Sequence, residues 1–528
     1  MTSSKTLKTF FGAPAVHHNE SRRLFLRQAS AMSVMAGVGA PMALNLLATG
    51  AAAAQTAGDY RAVVCLFMFG GNDSFNMVLP TDSASWNAYT TTRSSIALLA
   101  QGTPPNAGAQ AGSPERLGGV LPLALMSPSD ARGRSLALHP LMGGLQTLFN
   151  TDRRLAVVSN VGPLVAPTTK AQFARSTHPR PPRLFSHNDQ QSIWQTMRPE
   201  GATQGWGGRM ADMVAGGNSR AVFTAISAAG SSAWLSGQSV RQYQVSGTGA
   251  LRMGADSTNR VYGSNAVASA LENISRSTRS SHVLEADVAG IADRSISAEA
   301  LLRGALRPAS DAAFGSAPTS GSYNPRTDPK LQFPNPVTGA PEFSALAQQL
   351  QVVARLVQAG MSGATGVRRQ VFFVSMGGFD THSNQNTQHA KLMAQLAHGM
   401  QYFDTALGAV NARNSVTTFT ASDFGRTFTS NGDGTDHGWG AHQFVMGGAV
   451  RGGHVYGALP TLLAKNARTG EFDSPDQLRN GALLPTTSVD QLGGTLGRWF
   501  GLSDSQALEV FPQLANFSAD ARNLGFMA

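Results

Sequence analysis

Cysteine is almost absent from this chain, with Cys65 the only one among 528 residues. A single thiol cannot form an internal disulfide, so the sequence excludes a disulfide-stapled fold. Cys65 stands inside an apolar run, which predicts a small buried core residue and argues against a thiol catalyst.

Charged residues are also scarce, at 14% of the chain, while 42% of residues are hydrophobic and 57 are glycine. This balance is typical of a large globular protein with many loops and little disorder. The whole chain has a formal charge of +10, but residues 1–54 contain five basic and one acidic side chain. The rest of the chain therefore has 36 basic and 30 acidic residues, a net charge of +6. No basic run is interleaved with aromatic residues, so the composition argues against a nucleic-acid partner.

Residues 1–54 resemble a twin-arginine export signal. Arg22 and Arg23 precede an apolar run over residues 31–48, and four alanines end at Ala54, where we expect cleavage. A membrane anchor is the alternative, but glycine, proline and asparagine interrupt the apolar run, which is short for a bilayer span. The signal predicts a periplasmic or otherwise exported protein that meets the twin-arginine translocase and keeps no stable membrane span. That route carries proteins folded inside the cell, often with a metal.

Apolar runs of strand length alternate with helical periods after residue 55. Most of these runs do not alternate with polar residues, which favours strands buried on both faces. Between them, two segments have apolar residues at helical spacing. The predicted strands are Arg61–Phe69, Leu155–Val158, Ala221–Ala225, Gln370–Ser375, Val416–Ala421 and Gln443–Met446, and the helical stripes are Leu346, Leu350, Val353, Val357 and Leu392, Leu396, Met400, Phe403, Leu407. The order predicts an α/β fold with a doubly wound, mainly parallel sheet and insertions.

The domain prediction is a signal at 1–54 and one α/β domain at 55–528. Residues 82–135 are polar and rich in small residues, which suggests a long loop or small insertion. Residues 230–340 combine helical pieces with a stretch rich in proline, serine and glycine, which predicts a cap or insertion.

Three aspartates follow predicted strands in glycine-flanked loops: Asp73, Asp380 and Asp423. In an open α/β sheet, ligands bind at the carboxyl ends of strands, so these carboxylates predict a shared metal site. His382 stands two residues after Asp380, and mixed oxygen and nitrogen ligands suit Zn²⁺, Mn²⁺ or Fe. Helix capping by Asp380, with an exposed His382, is the plain alternative.

A second set of candidates follows Asp423. Arg426 could hold an anion with two parallel hydrogen bonds, or simply pair with Asp423. His437, or in second place His442, lies in the following glycine-rich loop and could ligate a metal.

Ser186 and His187 fall at a predicted junction between a loop and a helix. A serine there could act as a nucleophile and a histidine as an acid or base, although residues at such junctions are most often helix caps.

These segments together resemble the DUF1501 family of exported bacterial proteins. The resemblance rests on Gly70-Gly-Asn-Asp73, Ser186-His187, Gly207-Gly-Arg209, Gly377-Gly-Phe-Asp-Thr-His382, Ser422-Asp-Phe-Gly-Arg-Thr427, Asp436-His437 and Gly452-Gly-His-Val-Tyr-Gly457. That family is similar to the alkaline phosphatase, sulfatase and phosphoglycerate mutase superfamily, whose members bind one or two metals at strand ends. The resemblance implies metal ligation by Asp73, Asp380, His382, Asp423 and His437. Phe424 stands where the superfamily has a histidine ligand.

The sequence therefore predicts an exported, metal-dependent hydrolase of phosphate or sulfate esters or related small anions. One or two divalent ions (Zn²⁺, Mn²⁺ or Ca²⁺) are expected, with Ser186, His187 and Arg426 as catalytic candidates. The alternative is a non-catalytic cell-envelope binding protein that keeps the fold and one metal, which Phe424 favours. A dehydrogenase is excluded because the first glycine loop lacks the dinucleotide-binding fingerprint.

Overall fold

The computed structural model describes residues 59–528 apart from 248, 251, 253, 256–259 and 278–281. The export signal predicted over residues 1–54 lies outside the described residues. Residues Tyr60–Ala528 form one unit by their internal contacts.

The strands of the described residues build one large sheet and three small ones. The large sheet has nine strands in the order β15-β5-β14-β11-β1-β10-β6-β7, with β16 beside β5. Its neighbours run parallel except for β14, which is antiparallel to both β11 and β5. The strands are β1 Arg61–Met68, β2 Val78–Pro80, β3 Leu121–Pro122, β4 Leu136–Leu138, β5 Leu155–Gly162, β6 Ala225–Ser227, β7 Tyr243–Gln244, β8 Gln332–Pro334, β9 Pro341–Phe343, β10 Arg369–Met376, β11 Val416–Ser422, β12 Arg426–Ser430, β13 Thr435–His437, β14 Ala441–Gly447, β15 Val455–Tyr456 and β16 Thr487–Ser488.

Helices pack on both faces of this sheet. They are α1 Ser83–Arg93, α2 Pro114–Leu117, α3 Gly143–Asn150, α4 Lys170–Phe173, α5 His187–Thr196, α6 Trp206–Val214, α7 Asn265–Arg276, α8 Val283–Ala305, α9 Ala345–Met361, α10 Gln385–Ala409, α11 Val489–Phe500 and α12 Asp504–Val510. Alternate residues of β1 enter two separate cores. Val64 and Leu66 pack with α3, α9 and α10, whereas Cys65 and Phe67 pack with α6, α11 and α12. The mixed α/β architecture with a large, mainly parallel sheet is confirmed, and Cys65 is a buried core residue.

One strand prediction is displaced along the chain. Residues Ala221–Phe223 form a 3₁₀ turn, and the strand begins only at Ala225. Asn218 donates a hydrogen bond to the Thr224 hydroxyl at 2.9 Å and another to a carbonyl of the neighbouring strand, which holds the chain in a turn until Ala225. The other five predicted strands and both helical stripes are confirmed.

The two irregular segments have regular elements of their own. The polar stretch 82–135 contains α1, which begins at an Asp82 cap, and the short strand β3. The described part of residues 230–340 contains α7, α8 and the strand β8. No helix in the described part of the chain is both long enough and apolar enough to cross a membrane.

Candidate metal centre

The sheet topology brings the loops of two predicted aspartates to one edge. β10 and β11 flank β1 in parallel, so the loops that follow all three strands leave the same side of the sheet. Asp423 follows the last residue of β11, and Asp380 lies in the loop after β10. Gly70, with φ +116°, begins the loop after β1; a Cβ there would collide with the Asp380 backbone nitrogen. This close approach requires glycine and closes the edge around the two carboxylates.

Three imidazoles converge on the Asp380 carboxylate. Its Oδ1 lies 3.0 Å from His382 Nε2, 3.5 Å from His187 Nε2 and 3.6 Å from His437 Nε2. The two atoms His382 Nε2 and His437 Nε2 are 3.0 Å apart. Ligand atoms of His187, Asp380 and His437 all lie within 4.8 Å of one another.

The opposite nitrogen of each imidazole is hydrogen-bonded to an oxygen. His187 Nδ1 lies 2.7 Å from Asp423 Oδ2, His437 Nδ1 lies 2.7 Å from the Phe185 carbonyl, and His382 Nδ1 lies 3.3 Å from Asp436 Oδ1. A carbonyl or an ionised carboxylate oxygen only accepts, so each Nδ1 must donate its proton. In a neutral imidazole this leaves a lone pair on every inward-facing Nε2. An oxygen partner behind each histidine is the arrangement that orients histidine ligands in metal sites.

The donor set fits a divalent metal. Without a proton or a cation between them, the facing lone pairs on His382 Nε2 and His437 Nε2 would repel at 3.0 Å. Ligands about 2.0–2.1 Å from a tetrahedral Zn²⁺ lie about 3.3 Å from each other, close to the separations around Asp380. Three imidazole nitrogens and one carboxylate suit Zn²⁺, Mn²⁺ or Fe better than Ca²⁺, which prefers oxygen ligands.

The ionisation states in the cluster also suit metal binding. Burial raises the pKa of Asp380, but the Arg426 hydrogen bond and charge outweigh it and hold this pKa below its usual value. Burial lowers the pKa of His437, and the charges of His187 and Arg426 lower it further. An ionised carboxylate and a neutral imidazole are the forms that bind metal.

Asp423, predicted as a ligand, stands behind His187. Its Oδ2 accepts hydrogen bonds from His187 Nδ1 at 2.7 Å, Gln191 Nε2 at 2.8 Å and the Gly70 amide at 3.1 Å. Burial raises its pKa, against the hydrogen bonds from Gln191 and His187. In this geometry Asp423 fixes the tautomer and the ring orientation of His187.

Arg426, predicted to hold substrate, is fully buried. Its guanidinium donates to the carbonyls of Gly71 at 2.9 Å, Thr435 at 3.1 Å and Gly70 at 2.9 Å, and to the Asp380 carboxylate. With its donors occupied and no exposed surface, this side chain cannot reach a substrate oxyanion. In this geometry Arg426 ties three loops together and orients Asp380.

Asp73, also predicted as a ligand, forms a buried ion pair with Arg93 of α1. Its carboxylate also accepts hydrogen bonds from Gln385 and from the Phe75 amide. Arg93 in turn donates to the carbonyls of Thr427 and Phe428, each at 3.3 Å. The guanidinium therefore occupies the place of a cation beside Asp73, and the carboxylate is absent from the His187–Asp380–His437 group.

Two further candidates have other partners. The Ser186 hydroxyl donates to Asp189 at 2.9 Å, which gives it a local role at the start of α5. His442 is buried beside Ser159, 3.2 Å away, and burial lowers its pKa to about 4. Between the two late histidines, the structure thus brings only His437 to the cluster.

Sequence reasoning missed several partners. His187 was expected as an acid or base and lies beside Asp380 and His437. Asp436 and the Phe185 carbonyl were not assigned as histidine partners, and Arg93 was not singled out. For Asp436, the adjacent His437 was the one feature of the sequence that pointed to a histidine partner. Phe424, in place of a histidine, packs its ring against His187 and His437, with centroids 4.8 Å and 4.6 Å away.

Comparison with known proteins identifies the family. The chain matches the family described as "Protein of unknown function (DUF1501)" over residues 60–511, and it belongs to that family. No curated protein matches it.

Among solved structures, the chain is similar to the crystal structure of Ps i-CgsB in complex with k-i-k-neocarrahexaose. The identity is 8% and the TM-score 0.32, with 88% of this chain and 77% of that chain covered. It is also similar to a structure described with the metabolism of multiple glycosaminoglycans by Bacteroides thetaiotaomicron, at 10% identity and a TM-score of 0.31, covering 86% and 74%. Neither likeness is close enough to transfer an activity to this chain.

Proposed function

We propose that this protein is an exported, metal-dependent hydrolase of sulfate or phosphate esters. The observation that carries the proposal is the convergence of three Nε2 atoms on the Asp380 carboxylate, with every opposite nitrogen held by an oxygen acceptor. The ligands would be His187, His437 and Asp380, with His382, 3.0 Å from both Asp380 and His437, as the candidate fourth. A divalent ion bound there would polarise an ester and lower the pKa of a water molecule.

The remaining residues of the site fix these ligands. Asp423 holds the Nδ1 proton of His187, the Phe185 carbonyl holds that of His437, and Arg426 keeps Asp380 ionised and aligned. The centre opens to solvent at Asp380 and His382, whose side chains are 48% and 43% exposed, so an ester can reach it. Arg426 and Asp423, in contrast, have fully buried side chains.

We propose water as the attacking group. The Ser186 hydroxyl donates a hydrogen bond to Asp189, and no serine, threonine or cysteine side chain of the described residues is hydrogen-bonded to Asp380, His187 or His437. An attacking water needs no covalent intermediate with the protein. His382 is the most exposed of the three imidazoles, so it lies nearest to the water that enters the site.

The test combines metal analysis with an ester screen. The exported protein is assayed for bound metal and then offered aryl sulfates, aryl phosphates and phosphodiesters with Zn²⁺, Mn²⁺ or Ca²⁺. We expect a stoichiometric amount of a metal that accepts nitrogen ligands, such as Zn²⁺ or Mn²⁺, and hydrolysis of a sulfate or phosphate ester. Asp380→Asn should lose both metal and turnover, whereas Ser186→Ala should keep both. A Ser186→Ala variant with full metal and no turnover would instead make Ser186 the nucleophile.

The second candidate function is a non-catalytic binding protein of the cell envelope. The burial of Arg426 favours it, because the cluster then lacks a guanidinium that could stabilise a developing negative charge. A protein with fully occupied metal that hydrolyses none of the esters would support this function over the first.

A further inference from the structure

A basic segment leads directly into the metal centre. From Arg153 to Asn188 the chain has six lysine or arginine residues and no aspartate or glutamate. Three of the six have partners within the protein: Arg153 donates to the Ala124 carbonyl, Arg154 pairs with Asp404, and Lys170 donates to the Ser474 carbonyl. Arg175, Arg180 and Arg183 are exposed, and the recognised contacts of their side chains are all with residues of this same stretch or with Asp189, which directly follows it.

The part from Lys170 to Arg183, which is called the basic segment from here on, is anchored at both ends. At its start, Lys170 donates to the carbonyls of Phe472 and Ser474, and Thr169 and Gln172 form a capping box. At its end, Gln190 Nε2 of α5 donates to the carbonyls of Pro182 and Arg183, at 3.2 Å and 3.3 Å. The exposed arginines are therefore presented from a fixed piece of backbone.

The last arginine stands at the rim of the centre. The Arg183 side chain is 74% exposed, with its guanidinium 3.8 Å from the Asp189 carboxylate. Two residues later, Phe185 gives its carbonyl to His437 Nδ1 at 2.7 Å. Both Arg183 and Phe185 have positive φ, +47° and +71°. Such backbone is uncommon outside glycine and is kept where the surrounding structure requires it, which here is the turn that aims the Phe185 carbonyl inward.

Two further arginines lie earlier in the same segment. The Arg180 guanidinium lies over the Phe173 ring, 4.6 Å from its centroid, and donates to the Arg175 carbonyl at 2.9 Å. Arg175 follows α4 with an exposed side chain. Planar guanidinium groups match the geometry of sulfate and phosphate, which they bind with two parallel hydrogen bonds.

From these positions we propose that the basic segment 170–183 binds a polymer carrying repeated sulfate or phosphate monoester groups, whose ester in the metal centre is the one hydrolysed. This inference rests on the proposed function for the hydrolysed group. The buried Arg426 is paired with Asp380 and cannot contact an anion, so the exposed arginines of the segment supply the positive charge at the rim. Several exposed arginines on one segment suit neighbouring anions on one chain better than a single small ester.

The test measures binding of fluorescent dextran sulfate and of dextran phosphate to the metal-loaded protein, with neutral dextran as the blank. The variant Arg175→Gln/Arg183→Asn removes two exposed charges, and asparagine tolerates the positive φ at position 183. The matched control Arg241→Gln/Arg451→Gln removes two exposed arginines elsewhere on the chain. We expect about tenfold weaker polymer binding for the first variant, with a shallower salt dependence, and no change for the control. Arg175→Lys/Arg183→Lys should retain most of the affinity.

The outcomes separate this inference from the proposed function. Equal weakening by both double variants would overturn the inference, because binding would then follow overall charge. Tighter binding of single-stranded DNA than of either polymer, through the same arginines, would also overturn it. If polymer binding depends on Arg175 and Arg183 but the protein hydrolyses no ester, the binding role of the segment is supported and the proposed hydrolase function is refuted. Turnover of small esters with polymer binding independent of the segment would do the reverse.

Discussion

Replacing Asp380 and Asp73 one at a time separates a metal ligand from a structural ion pair. Three Nε2 atoms surround the Asp380 carboxylate, whereas Asp73 pairs with the buried Arg93. Asparagine has nearly the same shape as aspartate but no charge. Asp380→Asn should therefore abolish metal binding, and Asp73→Asn should leave it intact while destabilising the fold.

The size of each effect follows from linkage and burial. A metal at 1,000 times its dissociation constant adds about 4 kcal/mol to the free energy of unfolding. At about 2.1 cal/mol/K per residue, a unit the size of Tyr60–Ala528 unfolds with an entropy of about 1 kcal/mol/K, so each kcal/mol shifts Tm by about 1 °C. Metal should raise the wild-type Tm by about 4 °C. Asp73→Asn leaves Arg93 buried without its counter-charge, which costs about 3–5 kcal/mol and lowers Tm by a similar number of degrees.

The assay is a thermal melt of wild type and both variants after chelation, with and without added Zn²⁺ or Mn²⁺, beside metal analysis of each sample. We expect the metal-induced rise in Tm to survive in Asp73→Asn and to vanish in Asp380→Asn. If Asp73→Asn lost the metal and Asp380→Asn kept it, the ligand assignment would be refuted, and the Asp73–Arg93 pair would have to open to admit an ion.

Three other expectations concern single positions. His437→Gln should lose the bound metal, whereas His442→Gln should keep it; equal metal content in the two would place the late ligand elsewhere. Gly230→Ala should cost roughly 1–2 kcal/mol of stability, because Gly230 has a positive φ but open space around its Cβ position. Gly70→Ala should cost more, because its Cβ would also collide with neighbouring backbone. Chemical denaturation compares the two variants, and equal losses would contradict the close approach. Burial raises the pKa of Asp490 to about 7, so the folded protein holds a proton that the unfolded chain releases near pH 4. Its contribution to stability is lost as pH rises through that window, by up to about 4 kcal/mol, and Asp490→Asn should flatten the dependence of Tm on pH between 5 and 8; an unchanged slope would contradict the assignment.

Much of the sheet could be predicted because its signals are local. Apolar runs that end near glycine identified β1 and β10, and the helical spacing of Leu346 and Leu350 identified α9. The run from Ala221 to Ala225 has the same composition, yet the side chain of Asn218 turns it into a 3₁₀ segment. Contacts made from outside a segment leave no trace in its own pattern.

The sequence by itself determined the α/β class, the buried Cys65 and the two loops that bring Asp380 and Asp423 to one edge. These features follow from patterns among neighbouring residues and from the order of strands and helices along the chain. Tertiary structure alone decided how the carboxylates are used. Arg93 neutralises Asp73, Arg426 fixes Asp380, and Asp423 turns His187 toward the centre. In a buried environment a charge takes the best partner within reach, and these partners come from separate segments that only the folded chain brings together.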